Sequence, residues 1–157
     1  MDVLPPSKFN LDDFKRDFVN AENRLEALDR FWANYDAEGW SIWKLEYELY
    51  EGEGKVGYLT CNLKNGFIRN IEDFRKYAFG VLGVYGDEGD LVIHGTWLWR
   101  GTEIPEEWKE HNSYEYFKFR KLDTNNEADR KLVQEYWCNL EEGTVEGRQI
   151  YEAKWFK

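Results

Sequence analysis

The sequence predicts an α+β fold in which a single antiparallel sheet of five to six strands is flanked by about four helices. Apolar residues recur at helical spacing in some segments and alternate with polar residues in others. The alternating segments mostly follow one another through short glycine-containing turns, which predicts hairpins and antiparallel pairing. Strands and helices do not alternate in the way a parallel sheet requires. Because no linker rich in proline, glycine or serine divides the 157 residues, we expect one domain over 1–157.

Two helices are predicted near the N-terminus. Asn10 can cap the first helix, because its side chain can accept a hydrogen bond from a free backbone N–H of the first turn. The apolar positions of this helix are Leu11, Phe14 and Phe18. The segment 25–35 repeats its apolar residues at the same helical spacing and predicts a second helix.

The next segment changes period. Residues 41–50 alternate between apolar and polar side chains, as in a half-buried strand. The glycines of 52–54 supply a tight turn, so we expect 55–62 to form the hairpin partner of this strand. Helical spacing returns in 67–78 and predicts two short helices.

The middle of the chain predicts a second hairpin. Residues 79–85 are apolar on both faces apart from glycines, which is typical of a central strand. The acidic, glycine-containing run 86–90 is its loop, and 91–100 is its partner strand.

The last third of the chain predicts further short elements. Residues 104–108 suit a helical turn with proline near its start. Residues 114–121 form an aromatic-rich strand, Asn126 can cap a last helix, and 150–156 close the chain as a strand.

Composition excludes several classes of function. The chain has 31 acidic and 21 basic side chains, for a net charge of -10. That balance argues against a duplex nucleic-acid binder and against an anionic membrane surface as the main partner. No stretch approaches the roughly 18 apolar residues of a membrane span, and the N-terminus lacks the pattern of a secretory signal. With two cysteines in the chain, a reducing compartment fits best, so we expect a cytoplasmic protein.

Catalytic patterns are weak. The cysteines and histidines show no metal-ligand spacing. Cys61 and His94 could meet in space if both lie on strands, although a small buried thiol is the favoured interpretation. Glu46 and Glu48 point the same way on one strand, which is one arrangement of a glycosidase pair, but glutamates on a polar strand face are ordinary. We therefore predict no catalytic residue, no metal and no cofactor.

One segment interleaves cations with aromatic rings. Tyr116, Lys118 and Arg120 would project from one face of the strand 114–121. Rings beside cations are typical of surfaces that bind single-stranded nucleic acid. The favoured alternative is a half-buried strand whose long basic side chains cover the sheet.

An ordered series of short motifs runs through the whole chain. It opens with SKFNLDDFKR at 7–16, ALDRFW at 27–32 and GWSIW at 39–43. It continues with Cys61-Asn62-Leu63, Gly66-Phe67, Arg69, Arg75–Phe79, Gly95, Trp97, Arg100-Gly101, Trp108, Ser113–Tyr116, Lys121–Asp123 and Lys154–Lys157. Together these motifs resemble the conserved C-terminal domain of translation elongation factor 1 gamma.

The resemblance implies a function that composition cannot reveal. It implies a domain of a larger subunit that also carries a glutathione-transferase-like domain and a charged linker. The complex around that subunit recharges elongation factor 1 alpha with GTP, and the exchange chemistry belongs to other subunits. The resemblance thus implies a non-catalytic scaffold or interaction domain on a five-stranded antiparallel sheet. Its implied partners are subunits of the elongation factor 1 complex, and possible further partners are tRNA synthetases or the ribosome. Direct contact with nucleic acid is not expected, and the isolated domain should be monomeric.

Two other functions stay open. A basic and aromatic patch could bind RNA or another ligand, and the eight tryptophans could grip sugar rings. Periodicity favours a core role for Trp32, Trp43, Trp97 and Trp137. The candidates for partner binding are cationic and aromatic positions within the resemblance: Arg69, Arg75, Trp99, Arg100, Tyr116 and Arg120.

Overall fold

A computed structural model describes residues 7–49, 53–110, 114–140 and 143–157. Its strands are β1 Trp40–Tyr47, β2 Ala78–Tyr85, β3 Val92–Arg100, β4 Phe117–Lys121, β5 Thr144–Val145 and β6 Arg148–Phe156. Its α-helices are α1 Leu11–Asn20, α2 Arg24–Asn34, α3 Gly57–Asn70, α4 Glu106–Lys109 and α5 Glu127–Cys138. Two 3-10 helices span Glu72–Tyr77 and Tyr114–Tyr116.

The strands form one antiparallel sheet in the order β4-β1-β3-β2-β6-β5. β2 is buried along its whole length between β3 and β6, because helices cover the sheet on both faces. The predicted fold class, an antiparallel sheet flanked by helices, is confirmed.

Each face of the sheet carries its own aromatic core. The face under α1, α2 and α5, which we call the first face, has buried rings that include Phe14, Phe18, Phe31, Phe79 and Trp137. The face under α3, α4 and the 3-10 helix Glu72–Tyr77, which we call the second face, has buried rings that include Phe67, Phe74, Trp97, Trp99 and Trp108. Successive side chains of a strand point to opposite faces, so β2 and β3 supply both cores.

The predicted helix starts are confirmed at both capped ends. The Asn10 side chain accepts a hydrogen bond from the Asp13 backbone N–H at 3.0 Å, and Asn126 accepts one from Ala128 at 2.8 Å. In α2 the buried face is rotated relative to the apolar spacing of the sequence, so that Leu25 is 51% exposed.

The predicted strand 55–62 is wrong, because these residues enter the helix α3. The buried positions of α3 are Gly57, Thr60, Lys64 and Phe67, which recur at helical spacing. Two of the four, Thr60 and Lys64, are polar, so the spacing of apolar residues in the sequence does not indicate the buried side of α3.

The remaining strands differ from the prediction mainly at their ends. The loop 86–90 between β2 and β3 closes as predicted, with the Asp90 N–H donating to the Asp87 carbonyl at 2.9 Å. β4 begins only at Phe117, because the 3-10 helix Tyr114–Tyr116 precedes it. β6 begins earlier than predicted, at Arg148, where it pairs with the short strand β5.

Candidate partner-binding site

Two of the predicted site residues, Arg69 and Arg75, lie in one groove. The groove has a volume of about 330 Å³ and runs between the C-terminal end of α3, the 3-10 helix Glu72–Tyr77 and the end of β6. We call it the basic groove, and its lining residues are Asn65, Ile68, Arg69, Glu72, Arg75, Trp155, Phe156 and Lys157.

Local structure explains why the arginines lie here. Arg69 stands in the last turn of α3, and Arg75 stands in the last turn of the following 3-10 helix. Cations are favourable at the C-terminal end of a helix, where unpaired carbonyl groups carry partial negative charge. The two elements meet at Ile71, whose N–H donates to the Ile68 carbonyl at 3.2 Å, so both arginines project near the same end of the sheet.

The groove is positively charged although the chain is acidic overall. Its lining includes three basic side chains, Arg69, Arg75 and Lys157, and one acidic side chain, Glu72. Glu72 lies 3.5 Å from the Arg75 guanidinium in an exposed ion pair, whereas no carboxylate within the described part of the chain pairs with Arg69. Such a local excess of positive charge attracts anionic groups, and the attraction falls with salt.

Lys15 adds a further cation beside the groove. Its Nζ donates to the Arg75 carbonyl at 2.6 Å. Burial lowers the pKa of Lys15; the nearby Asp12 carboxylate opposes this, and the Arg75 charge lowers the pKa further. Lys15 therefore fixes the backbone position of Arg75 and strengthens the positive potential there.

Trp155 is among the lining residues of the groove, and its ring packs on the first face of the sheet. Its indole Nε1 donates to the Trp137 carbonyl at 3.1 Å, and its ring packs against Phe18 at a centroid distance of 5.7 Å. The Arg24 guanidinium lies 4.6 Å and the Lys157 ammonium 5.7 Å from the centroid of the ring. These contacts hold the half-buried indole in place and attach both cations to it.

Trp155 and Lys157 were not among the predicted site residues. The resemblance included 154–157, but no spacing in the sequence links this segment to Arg69. Only the pairing of β6 with β2 brings the end of the chain beside α3.

Trp99 and Arg100 lie elsewhere. Trp99 is fully buried, stacks on Trp43 at 5.6 Å and donates its Nε1 hydrogen to the Glu103 carbonyl at 3.1 Å. Arg100 donates to the Gly39 carbonyl and lies over the Trp40 ring at 5.8 Å. Both side chains hold neighbouring segments together, and neither lines the basic groove.

Tyr116 lies just before the edge strand β4, and Arg120 lies on it, so both are at the side of the sheet opposite the basic groove. Arg120 is 3.1 Å from Asp129, and the neighbouring Lys118 is 3.3 Å from Glu48, so carboxylates pair with both cations. The Tyr116 ring contacts Tyr47 at 6.3 Å. Because β4 and β6 are four strand spacings apart, about 19 Å, this patch is separate from the basic groove.

The weak catalytic candidates are not arranged for chemistry. Cys61 lies on α3 against the second face, whereas His94 points to the first face beside Glu46, so the considered Cys–His pair is not formed. The Lys44 ammonium is 2.8 Å from Glu46. A hydrogen bond from Lys44 is the main cause that lowers the pKa of Glu46. The general acid of a glycosidase needs a raised pKa, and the lowered pKa of Glu46 does not suit that role.

Among residues 7–49, 53–110, 114–140 and 143–157, no group of three or more His, Cys, Asp or Glu side chains could hold a metal ion. None of the helices in these ranges is long and apolar enough to cross a bilayer.

Comparison with known proteins adds information that the groove alone does not carry. The family model described as "Elongation factor 1 gamma, conserved domain" matches residues 1–103. The chain is 35% identical to a probable elongation factor 1-gamma of Caenorhabditis elegans over 98% of its length, and 38% identical to elongation factor 1-gamma 2 of Oryza sativa over 100%. It is 35% identical to elongation factor 1-gamma of Drosophila melanogaster over 99% of its length. The chain spans 38%, 38% and 36% of these three relatives.

Proposed function

The chain belongs to the elongation factor 1 gamma conserved-domain family, and from that membership we propose that it serves translation elongation as a non-catalytic interaction domain. Its partners in this role are other subunits of the elongation factor 1 exchange complex, with tRNA synthetases and the ribosome as further candidates. Residues 1–157 act as one domain, monomeric by itself, in the cytoplasm.

The basic groove is the observation that carries the proposal. The domain has a net charge of -10, yet among the described residues Arg69 and Lys157 have no carboxylate partner, and both line one groove with Trp155. Arginine forks bind carboxylates through two parallel hydrogen bonds, and the charge of the groove draws an acidic segment towards it. A partner protein with exposed carboxylates is therefore the occupant that fits the groove.

The environment of the reactive side chains supports a non-catalytic role. Burial and a hydrogen bond to Glu152 raise the pKa of the Cys61 thiol to about 11, which leaves little thiolate at neutral pH. Burial lowers the pKa of His94 to about 4, which is below the range useful for a general base near pH 7.

Charge reversal in the groove tests the proposal. We expect Arg69→Glu with Arg75→Glu, introduced into the intact protein, to reduce co-purification of at least one elongation factor 1 subunit, tRNA synthetase or ribosomal particle at least tenfold. Arg120→Glu is the matched control, because it reverses an exposed arginine at the opposite edge of the sheet. All partners should be recovered with the control variant.

Three outcomes would count against the proposal. Full recovery of every partner by the groove variant would show that the groove does not bind these partners. Normal complex assembly and elongation without the domain would show that the domain does not have the proposed role. If ribonuclease alone abolished the arginine-dependent recovery, RNA would be the occupant of the groove.

A further inference from the structure

The outward side of α3 is apolar where a surface helix is ordinarily polar. Tyr58 is 67%, Leu59 51% and Leu63 37% exposed, and Val56 just before the helix is 38% exposed. In the described part of the chain these four are the majority of the large apolar side chains left exposed, and all four lie between residues 56 and 63. Val56, Leu59 and Leu63 line a depression of about 440 Å³ together with Glu53, Gly54, Thr60 and Asn62.

Gly66 lies on the same side of the helix. It follows Leu59 by seven residues and Leu63 by three, which places all three on one side of α3. A Cβ atom added at Gly66 would meet nothing within 4 Å, so packing inside the domain does not require a glycine there. Glycine in a helix interior lowers stability relative to alanine. Without a side chain at this position, α3 presents bare backbone that another chain could approach closely.

The charge on this side of α3 changes along the helix. Arg69 is one turn beyond Gly66 and has no ion-pair partner among the residues that the structure describes. Arg75 and Lys157 stand beyond it in the basic groove. From Leu59 to Arg69 the helix rises about 15 Å, so an apolar end and a basic end lie within three turns of each other.

We propose that the outward side of α3 docks an acidic amphipathic helix of a partner protein. The apolar side of that helix packs on Leu59 and Leu63, its backbone crosses at Gly66, and its carboxylates reach Arg69. This rests on the proposed interaction role and names the chemistry of the partner.

Other occupants fit this surface less well. A second copy that presented its own α3 would bring no carboxylate to Arg69, because that helix contains no Asp or Glu. RNA would leave Leu59 and Leu63 against a polar backbone. A partner helix of three turns, about ten residues, would match the 15 Å from Leu59 to Arg69. Two helices also pack closely where a small residue lies at their crossing point.

A photo-crosslinking residue in place of Asn62 tests the proposal in the intact protein, in the cells that express it. We expect the crosslinked segment, sequenced by mass spectrometry, to be an acidic amphipathic helix of another protein. Leu59→Glu with Leu63→Glu should reduce the crosslink yield at least tenfold. Leu25→Glu is the matched control, because Leu25 is also 51% exposed but lies on α2, and it should leave the yield unchanged.

Gly66→Ala separates docking from folding. The extra helix propensity should raise the melting temperature of the domain by about 2–4 °C, while the methyl group at the crossing point reduces the crosslink yield at least threefold. An unchanged yield would overturn the close approach at Gly66. Crosslinks to nucleic acid, to lipid or to a second copy, or no crosslink above that of a probe placed at Leu25, would overturn the docking proposal. Because Arg69 and Arg75 are unaltered in all these variants, failure here would leave the proposed interaction role of the basic groove standing.

Discussion

Lys64 of α3 and Glu152 of β6 form an ion pair beneath the helix, with the Lys64 Nζ 2.9 Å from a Glu152 carboxylate oxygen. The Lys64 side chain has no exposed surface, whereas that of Glu152 is 31% exposed. Burial raises the pKa of Glu152, but hydrogen bonds from Cys61 and Lys64 outweigh it, so that the pKa falls to about 2. Burial lowers the pKa of Lys64, and the Glu152 carboxylate opposes that shift. The ion pair fixes the rotation of α3, which decides which residues of the helix face outward.

Glu152→Gln should destabilise the domain by about 2 kcal/mol, because it leaves the buried Lys64 ammonium without its counter-charge. The cost is below the roughly 3–5 kcal/mol of a fully buried pair, since water reaches Glu152. Adding Lys64→Met should recover most of the loss. Urea unfolding of the two single variants and the double variant measures the coupling. Strictly additive losses would show that the pair contributes nothing beyond its separate side chains.

The two core glycines beside Trp97 should not tolerate a methyl group. A Cβ at Gly95 would lie 2.2 Å from the Val81 carbonyl oxygen, and one at Gly80 would lie 2.5 Å from the Trp97 ring. Gly95→Ala is expected to cost about 3 kcal/mol or more, since the clash is with sheet backbone, and Gly80→Ala about 1–3 kcal/mol. Thermal unfolding of both variants checks this order. Equal, small losses would mean that β2 and β3 separate more easily than their pairing indicates.

His94 should make the domain less stable in acid. Burial lowers its pKa to about 4; Glu46 and Glu146 oppose the shift, and Lys44 and Arg148 add to it. Between pH 6.5 and 4 the unfolded chain binds a proton at this histidine that the folded chain does not, so stability falls as the pH falls through that window. Between pH 7 and 4.5 the free energy of unfolding should fall for both proteins, and the fall should be smaller for His94→Gln than for the wild type by on the order of 1–2 kcal/mol. Urea midpoints at the two pH values measure this, and parallel losses in both proteins would contradict the shift.

The fold could be predicted wherever burial follows apolar periodicity. The alternation in β1 and the two-sided apolar run of β2 are of this kind. α3 could not be predicted, because one of its buried positions is Lys64, whose partner Glu152 lies on β6, 88 residues along the chain. A buried charge is stable only through such a partner, and a single sequence does not show which residue that is.

The residues of the candidate site also divide into those that the sequence could predict and those that it could not. Arg69 and Arg75 could be chosen from residue type within the resemblance, because cations near helix ends are exposed. Trp155 could not, since only the strand order places it beside them. Trp99 shows the converse, because an aromatic residue on a strand looks the same in sequence whether its ring faces a partner or a core.

The Cys61 thiol should react slowly with an alkylating reagent and should respond to Glu152. Burial and then the adjacent carboxylate raise the pKa of Cys61 to about 11, so only about 0.1% is thiolate at pH 8. Glu152→Gln removes the negative charge and leaves Lys64, both of which favour the thiolate. We expect alkylation of Cys61 by iodoacetamide to become about tenfold faster, as measured by mass spectrometry of the Cys61 peptide.

Cys138 provides the control for this change within the same molecule. Burial also raises the pKa of Cys138 to about 11, but the charge near it is Arg24 rather than Glu152. Glu152→Gln should therefore leave the alkylation rate of Cys138 unchanged. An equal acceleration at both thiols would indicate that the variant opens the whole domain. No acceleration at Cys61 would show that burial alone, and not the Glu152 carboxylate, holds its thiol protonated.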